Sequence, residues 1–306
     1  DIIAQIHREY LEAGADIIRT NTVRANPIVQ GKFRFENMAY DIALAGARIA
    51  CESIAEYNDD ILQCKTGKLG QTLERKYVAG VMGPAEDSAD VGFRELVDAY
   101  SEVVRGLLDG NADILLLDSF RNLLNVKAAL HAVFKVCSER QELVPVMVSG
   151  EIAEAGAGTL AGLTARALQH TVSSFPVFSI GLSAGENASD LHDLLKEIEN
   201  APVRMSVMVD VSLEGMKPHD SDSVKGRAKE LWRYADSGLV NIVGGGKETT
   251  PESLKFMVKA LKGSRPRRIP ARRYNMLLSG LAPMTVAGAG NCICVGNVFN
   301  REESSG

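Results

Sequence analysis

Apolar residues recur along the chain in two alternating rhythms. The opening segment, DIIAQIHREYLEAGA, places Ile3, Ile6, Tyr10 and Leu11 at helical spacing and stops at Gly14. DIIRTNT follows as a short apolar strand that opens into polar residues. Helical patterns then recur in FENMAYDIALAGARIACESIAEYN, FRELVDAYSEVVRGLLDG, NLLNVKAALHAVFKVCSER, TARALQHTVSSF, ASDLHDLLKEIEN, SVKGRAKELWRYADSG and TPESLKFMVKALKG. Between them lie the strand patterns YVAGVMG, DILLLDS, VPVMVSGEI, VFSIGLSAG, VRMSVMVDV and VNIVGGG, so the spacing predicts seven strands and eight helices.

The strands are apolar almost throughout rather than alternating, the mark of parallel strands covered by helices on their faces. A weak repeat supports one unit used many times: AGADIIRTNT, GNADILLLDS and DSGLVNIVGGG each pass from a helix end through glycine into such a strand. A (β/α)8 TIM-type barrel whose first strand lies upstream of Asp1 would begin with a helix, as this chain does. A doubly wound open sheet is the runner-up. The barrel is expected over residues 1–262, a basic Pro/Arg linker (SRPRRIPARRYNM) over 263–275, and the start of a further module over 276–306.

Composition narrows the functional classes. A net charge of -5, with 45% hydrophobic and 24% charged residues, gives no electrostatic pull toward nucleic acid or a membrane surface. No apolar run is long enough for a membrane span and no signal peptide is visible. Five cysteines without disulfide or zinc-finger spacing point to a reducing cytoplasm. The first residue is Asp1 rather than Met, which fits a fragment or a processed product.

In such a barrel the working groups sit where strands end and βα loops begin. The candidates there are Arg19-Thr20-Asn21-Thr22, Gly83-Pro84, Asp118-Ser119, Ser149-Gly150-Glu151, Ser183-Ala184, Asp210 and Gly244-Gly245-Gly246-Lys247. Asp118, Glu151 and Asp210 could act as bases, metal ligands or anchors for an ammonium group; equally, they could cap helices or pair with Arg19. His7, His131, His170 and His192 fall in helices and His219 in a loop, too scattered for a metal set. The glycine run ending in Lys247 fails as a phosphate loop, because Glu248 stands where Ser or Thr is required. Arg19 and Lys247 remain candidates for binding an anion, and Thr249, Thr250, Pro251 and Glu252 form a good helix start.

Four stretches, IHREYLEAGADIIRTNT, YVAGVMGP, NIVGGGKETTP in outline and LSGLAPM, together resemble the homocysteine-binding module of cobalamin-dependent methionine synthase. The resemblance spans nearly the whole chain, strand by strand. It implies a (β/α)8 barrel, transfer of a methyl group from methylcobalamin to the homocysteine thiol, and a zinc ion held by three cysteines that stabilises the thiolate. It also implies that the carboxylate at Asp118, shortened from Glu, meets the substrate ammonium, with Thr20, Asn21, Ser149, Gly244 and Gly245 around the substrate. Downstream folate- and cobalamin-binding modules are implied as partners.

Several positions depart from the family pattern. Where it has Gly-Leu-Asn-Cys this chain has Gly181-Leu182-Ser183-Ala184, and where it has Gly-Gly-Cys-Cys-Gly-Thr-Thr-Pro this chain runs from Gly244 through Gly246, Lys247 and Glu248 to Pro251. Its Glu-Thr-Asn-Thr appears with Arg19 in place of Glu, and its His-Pro-Asn has no match near Asp210-Val211-Ser212. Cys292 and Cys294 would share one face of a strand but lie in the segment resembling the start of a folate-binding barrel, and two cysteines fall short of the about four convergent ligands that a zinc site needs. The expectation is therefore a homocysteine methyltransferase-like barrel without its own zinc or cobalamin chemistry. The alternative is a zinc-free enzyme or binding module for a small anionic metabolite. A third reading is a fragment that does not fold stably, since an open barrel leaves strand edges unpaired.

Overall fold

A computed structural model of the chain describes residues 1–63, 74–85, 91–151, 164–184, 191–209, 232–246, 249–272, 276–278 and 284–286. Helix α1 (Ile2–Ala13) leads into β1 (Ile17–Arg19). A short helix α2 (Pro27–Gly31), which the apolar pattern does not predict, precedes the long α3 (Ala39–Leu62). The chain then alternates through β2 (Tyr77–Met82), α4 (Phe93–Asp109), β3 (Ile114–Phe120), α5 (Leu123–Arg140), β4 (Val146–Glu151), α6 (Ala165–Val172), β5 (Ser179–Ala184), α7 (Leu191–Glu197) and β6 (Arg204–Val209). Residues 232–236 are helical before β7 (Ile242–Gly245) and α8 (Pro251–Leu261); most of the helix predicted from Ser223 lies outside the described residues.

The seven strands pair in chain order, every neighbour parallel. A flat seven-stranded sheet would hold its ends about 29 Å apart at the usual strand spacing. Here the helix before β1 instead touches the helix after β7. Tyr10 Oη donates to the carbonyl of Thr249, and Val258 of α8 packs beside Gly14. The sheet therefore curls into a TIM-type barrel one strand short of eight, with no described residue filling the position between β7 and β1.

The residues alternate between two cores, as a barrel requires. Val78, Leu115, Leu117, Val146, Val148, Ile180, Leu182, Met205 and Val207 face the helices. Ala79, Val81, Ile114, Leu116, Met147 and Met208 fill the lumen with Ile17, Tyr77 and Ile242. Small residues let the helical layer pack tightly. The buried stripe Ala39, Ala43, Ala47 and Ala50 of α3 lies against α4, where a side chain on Gly106 would strike the carbonyl of Tyr40 at 2.5 Å.

The basic stretch after α8 crosses the N-terminal face of the barrel. Arg267 is only 5% exposed there and donates to the carbonyls of Glu199, Ala201 and Val203 ahead of β6. Its own backbone is tied to the start of β7, with its N–H on Val240 and its carbonyl accepting from Asn241. Beyond it, β8 (Met276–Leu278) and β9 (Met284–Val286) form an antiparallel pair against α6. His170 Nδ1 meets the carbonyl of Leu278 at 3.2 Å, so that nitrogen carries the proton, and Nε2 faces the Thr285 hydroxyl at 3.5 Å.

Candidate functional site

The C-terminal ends of the strands gather the candidate residues at one mouth. Phase along each strand decides which side chains enter the lumen. Arg19 follows Ile17, Asp118 follows Ile114 and Leu116, Ser149 follows Met147, and Gly244 follows Ile242, so all four are lumen-facing.

Strand β1 ends in a side-chain splice onto β2. The Thr20 N–H donates to the Ala79 carbonyl, and the Thr20 hydroxyl accepts from the Val81 N–H at 2.9 Å. The Thr22 hydroxyl donates to the Val81 carbonyl at 2.7 Å and meets Thr20 Oγ1 at 2.6 Å. Both threonines are buried and Asn21 between them is exposed. Thr20 thus holds the strand end in place, and Asn21 alone of this trio is open to solvent.

Strand β3 carries a β-bulge at the mouth. Leu117 pairs with Val148 and Phe120 with Gly150, so three steps on β3 match two on β4. Ser119 absorbs the extra residue with φ 58. The bulge turns Phe120 outward onto Tyr100 and leaves Asp118 as the last inward-facing residue of the strand. There the Asp118 carboxylate, 6% exposed, accepts from Nη2 of Arg19, whose side chain is 35% exposed. Arg121 and Glu151 make a second pair across the ends of β3 and β4.

Around the other half of the mouth the lumen wall is small and polar. Ser149, Gly181 and Ser206 stand in register on β4, β5 and β6, with Ser179 below. The hydroxyls of Ser149 and Ser179 are buried and have no hydrogen-bond partner among the described residues. On β7, a side chain at Gly244 would press on the flexible end of Met208, with Sδ at 2.5 Å, whereas one at Gly245 would strike Thr249 at 2.4 Å, so Gly245 has no room for one. Thr250 caps α8 with its side chain on the Ser253 N–H, as the helix start predicted. Lys247 and Asp210 lie outside the described residues.

The described residues of the mouth are poor in metal ligands. Strand β5 ends in Ser183-Ala184 and β7 runs into Gly246, and among the described residues no three His, Cys, Asp or Glu side chains converge. Cys51 and Cys137 lie in the helical layer. Burial pushes the Cys51 thiol up to about 11, with Asp113 and Glu52 adding to it, and raises Cys137 in the same direction, so neither is a ready thiolate.

Residues 1–261 match the homocysteine S-methyltransferase family. The chain belongs to that family. Among solved structures it is similar to the homocysteine methyltransferase MmuM from Escherichia coli in three states. The oxidized form has 17% identity and a TM-score of 0.65, with 84% of each chain covered. The metallated form has 16% identity and a TM-score of 0.63, covering 83% of this chain and 82% of that one. The apo form has 15% identity and a TM-score of 0.60, with 85% of each covered. At that identity the likeness establishes the barrel. Within the family frame, the pairing of Arg19 with Asp118 is the feature that strand-by-strand reading left open: both residues were visible as candidates, but their contact needs the register of three strands and a bulge.

Proposed function

We propose that this member of the homocysteine S-methyltransferase family no longer carries out zinc-dependent methyl transfer to homocysteine, or does so only at trace level, in a chain related to methionine synthase. The observation that carries the reading is the set of residues at the ends of β5 and β7. Ala184 and Gly246 stand where the resemblance implies two of three cysteine ligands, and neither has a donor atom. The third position is Lys247, whose ammonium at neutral pH has no lone pair to offer. A zinc site needs about four convergent ligands, and the residues present do not fit one.

The ion pair supports the same reading from the substrate side. Homocysteine would bring an ammonium group to a carboxylate that already holds Arg19. The test is methionine formation from homocysteine by the purified chain with added zinc and methylcobalamin. No product above a zinc-free blank is expected; sustained, zinc-dependent turnover would overturn the reading.

A second reading, a zinc-free barrel that binds or transforms a small anionic metabolite, is favoured by the partly exposed side chain of Arg19 at the mouth. A reducing cytoplasm suits either reading, and the 276–306 stretch is read as the opening of a folate-binding-like module.

A further inference from the structure

Arg19 is the cationic side chain that the described structure places in the phase of the lumen at the C-terminal mouth. Its guanidinium has five N–H donors in a planar fork. One nitrogen, Nη2, is committed to Asp118, and among the described residues no other partner is found for the rest. With about a third of the side chain exposed, the uncommitted edge can be reached from solvent. A guanidinium clamped on one edge by a buried carboxylate has already lost much of its rotamer freedom. It can therefore accept a second planar anion with little further ordering cost.

The surroundings choose among anions. Asp118 offsets the charge of Arg19, so a ligand with one negative charge brings the group of Arg19, Asp118 and ligand to minus one, whereas a dianion would bring a second charge to face the carboxylate at close range. The fork geometry favours two parallel N–H···O bonds to a carboxylate. An α-ammonium group finds no free carboxylate at Asp118. It would have to displace a guanidinium tethered to the same chain, which competes at the high effective concentration of an intramolecular partner. Val81 and Met208 close the lumen beneath, so the remainder of a ligand meets apolar side chains.

We propose that the mouth is a carboxylate-selective binding site for short apolar acids lacking an α-ammonium group, with Arg19 as the binding residue and Asp118 as the positioning residue. The proposal rests on the second reading above and makes no use of zinc. Its failure is therefore distinct from that of the methyl-transfer reading, since binding is measured without turnover.

The test is calorimetric titration of the purified chain with methylthiobutyrate and mercaptobutyrate against methionine and homocysteine, with inorganic phosphate as a further arm. The wild type is expected to bind the acids without the amino group at least about ten-fold more tightly than the amino acids, a difference of about 1.4 kcal/mol. Arg19→Gln is expected to abolish that preference. Arg19→Lys keeps the charge, and with it the pair to Asp118, so it guards against a folding artefact; it is expected to lose affinity several-fold because the fork is gone. Asp118→Asn frees the guanidinium and is expected to weaken binding while keeping the order of preference. Equal or tighter binding of the amino acids, phosphate binding as tightly as the acids, no binding of any acid, or an unchanged Arg19→Lys variant would each overturn the proposal.

Discussion

Two arginines sit at opposite ends of this barrel and are used in opposite ways. Arg267, on the N-terminal face, is almost fully buried and spends its guanidinium on three backbone carbonyls and, among the described residues, on no carboxylate. Burial pulls it below its ordinary value, with Glu199 opposing. Arg19, on the C-terminal face, gives one nitrogen to one carboxylate and keeps the rest at the surface. The first closes its donors onto the fold, whereas the second leaves a reachable edge. The difference shows where the barrel is built to be stable and where it is built to meet something else, the division expected between the two faces of this architecture.

The comparison can be broken at either end. Arg267→Ala should have the largest effect, about 3–4 kcal/mol of unfolding free energy in a urea titration, because three carbonyls lose a charged donor in a buried place. Its ligand preference should stay as in the wild type. Arg19→Gln should cost less, about 2 kcal/mol, between the values for exposed and buried pairs, because the arginine is partly solvated while Asp118 is not. If Arg19→Gln proved the more damaging of the two, the base would not be the structural end.

The smallest effect concerns pH and lies in α1, away from both arginines. His7 is buried with Nε2 unpartnered among the described residues, and burial holds its pKa below the ordinary 6.5. The unfolded chain therefore takes up a proton at higher pH than the folded one, so stability is full above about pH 6.5 and falls as the solution is acidified through that value. Chemical denaturation at stepped pH should show the slope in the wild type and a flatter profile in His7→Gln. An unchanged slope would assign the effect to other groups.

Much of the barrel was legible because its strands are short apolar runs between helices with clear stops. The helix start at Thr250 reads correctly as a cap for the same local reason. The mouth was legible only as a set of positions. Asp118 was legible as a base, a ligand, a substrate anchor or a partner of Arg19, and nothing in DILLLDS reveals that Ser119 adopts φ 58 and that Arg19, two strands away, reaches across. Thr20 looked like a substrate contact because its role in satisfying Val81 depends on strand pairing rather than on the TNT string. Arg267 was read as part of a basic Pro/Arg linker, and its burial ahead of β6 is a tertiary fact with no local signature.

The central claim is that the strand ends of this family member no longer form a zinc site. Zinc stoichiometry tests it most directly, because it does not depend on which methyl donor is supplied. The purified chain would be equilibrated with excess zinc and homocysteine, desalted and analysed for metal. The account predicts a bound fraction far below one zinc per chain, unchanged by homocysteine; one zinc per chain, retained more firmly when homocysteine is present, would contradict it.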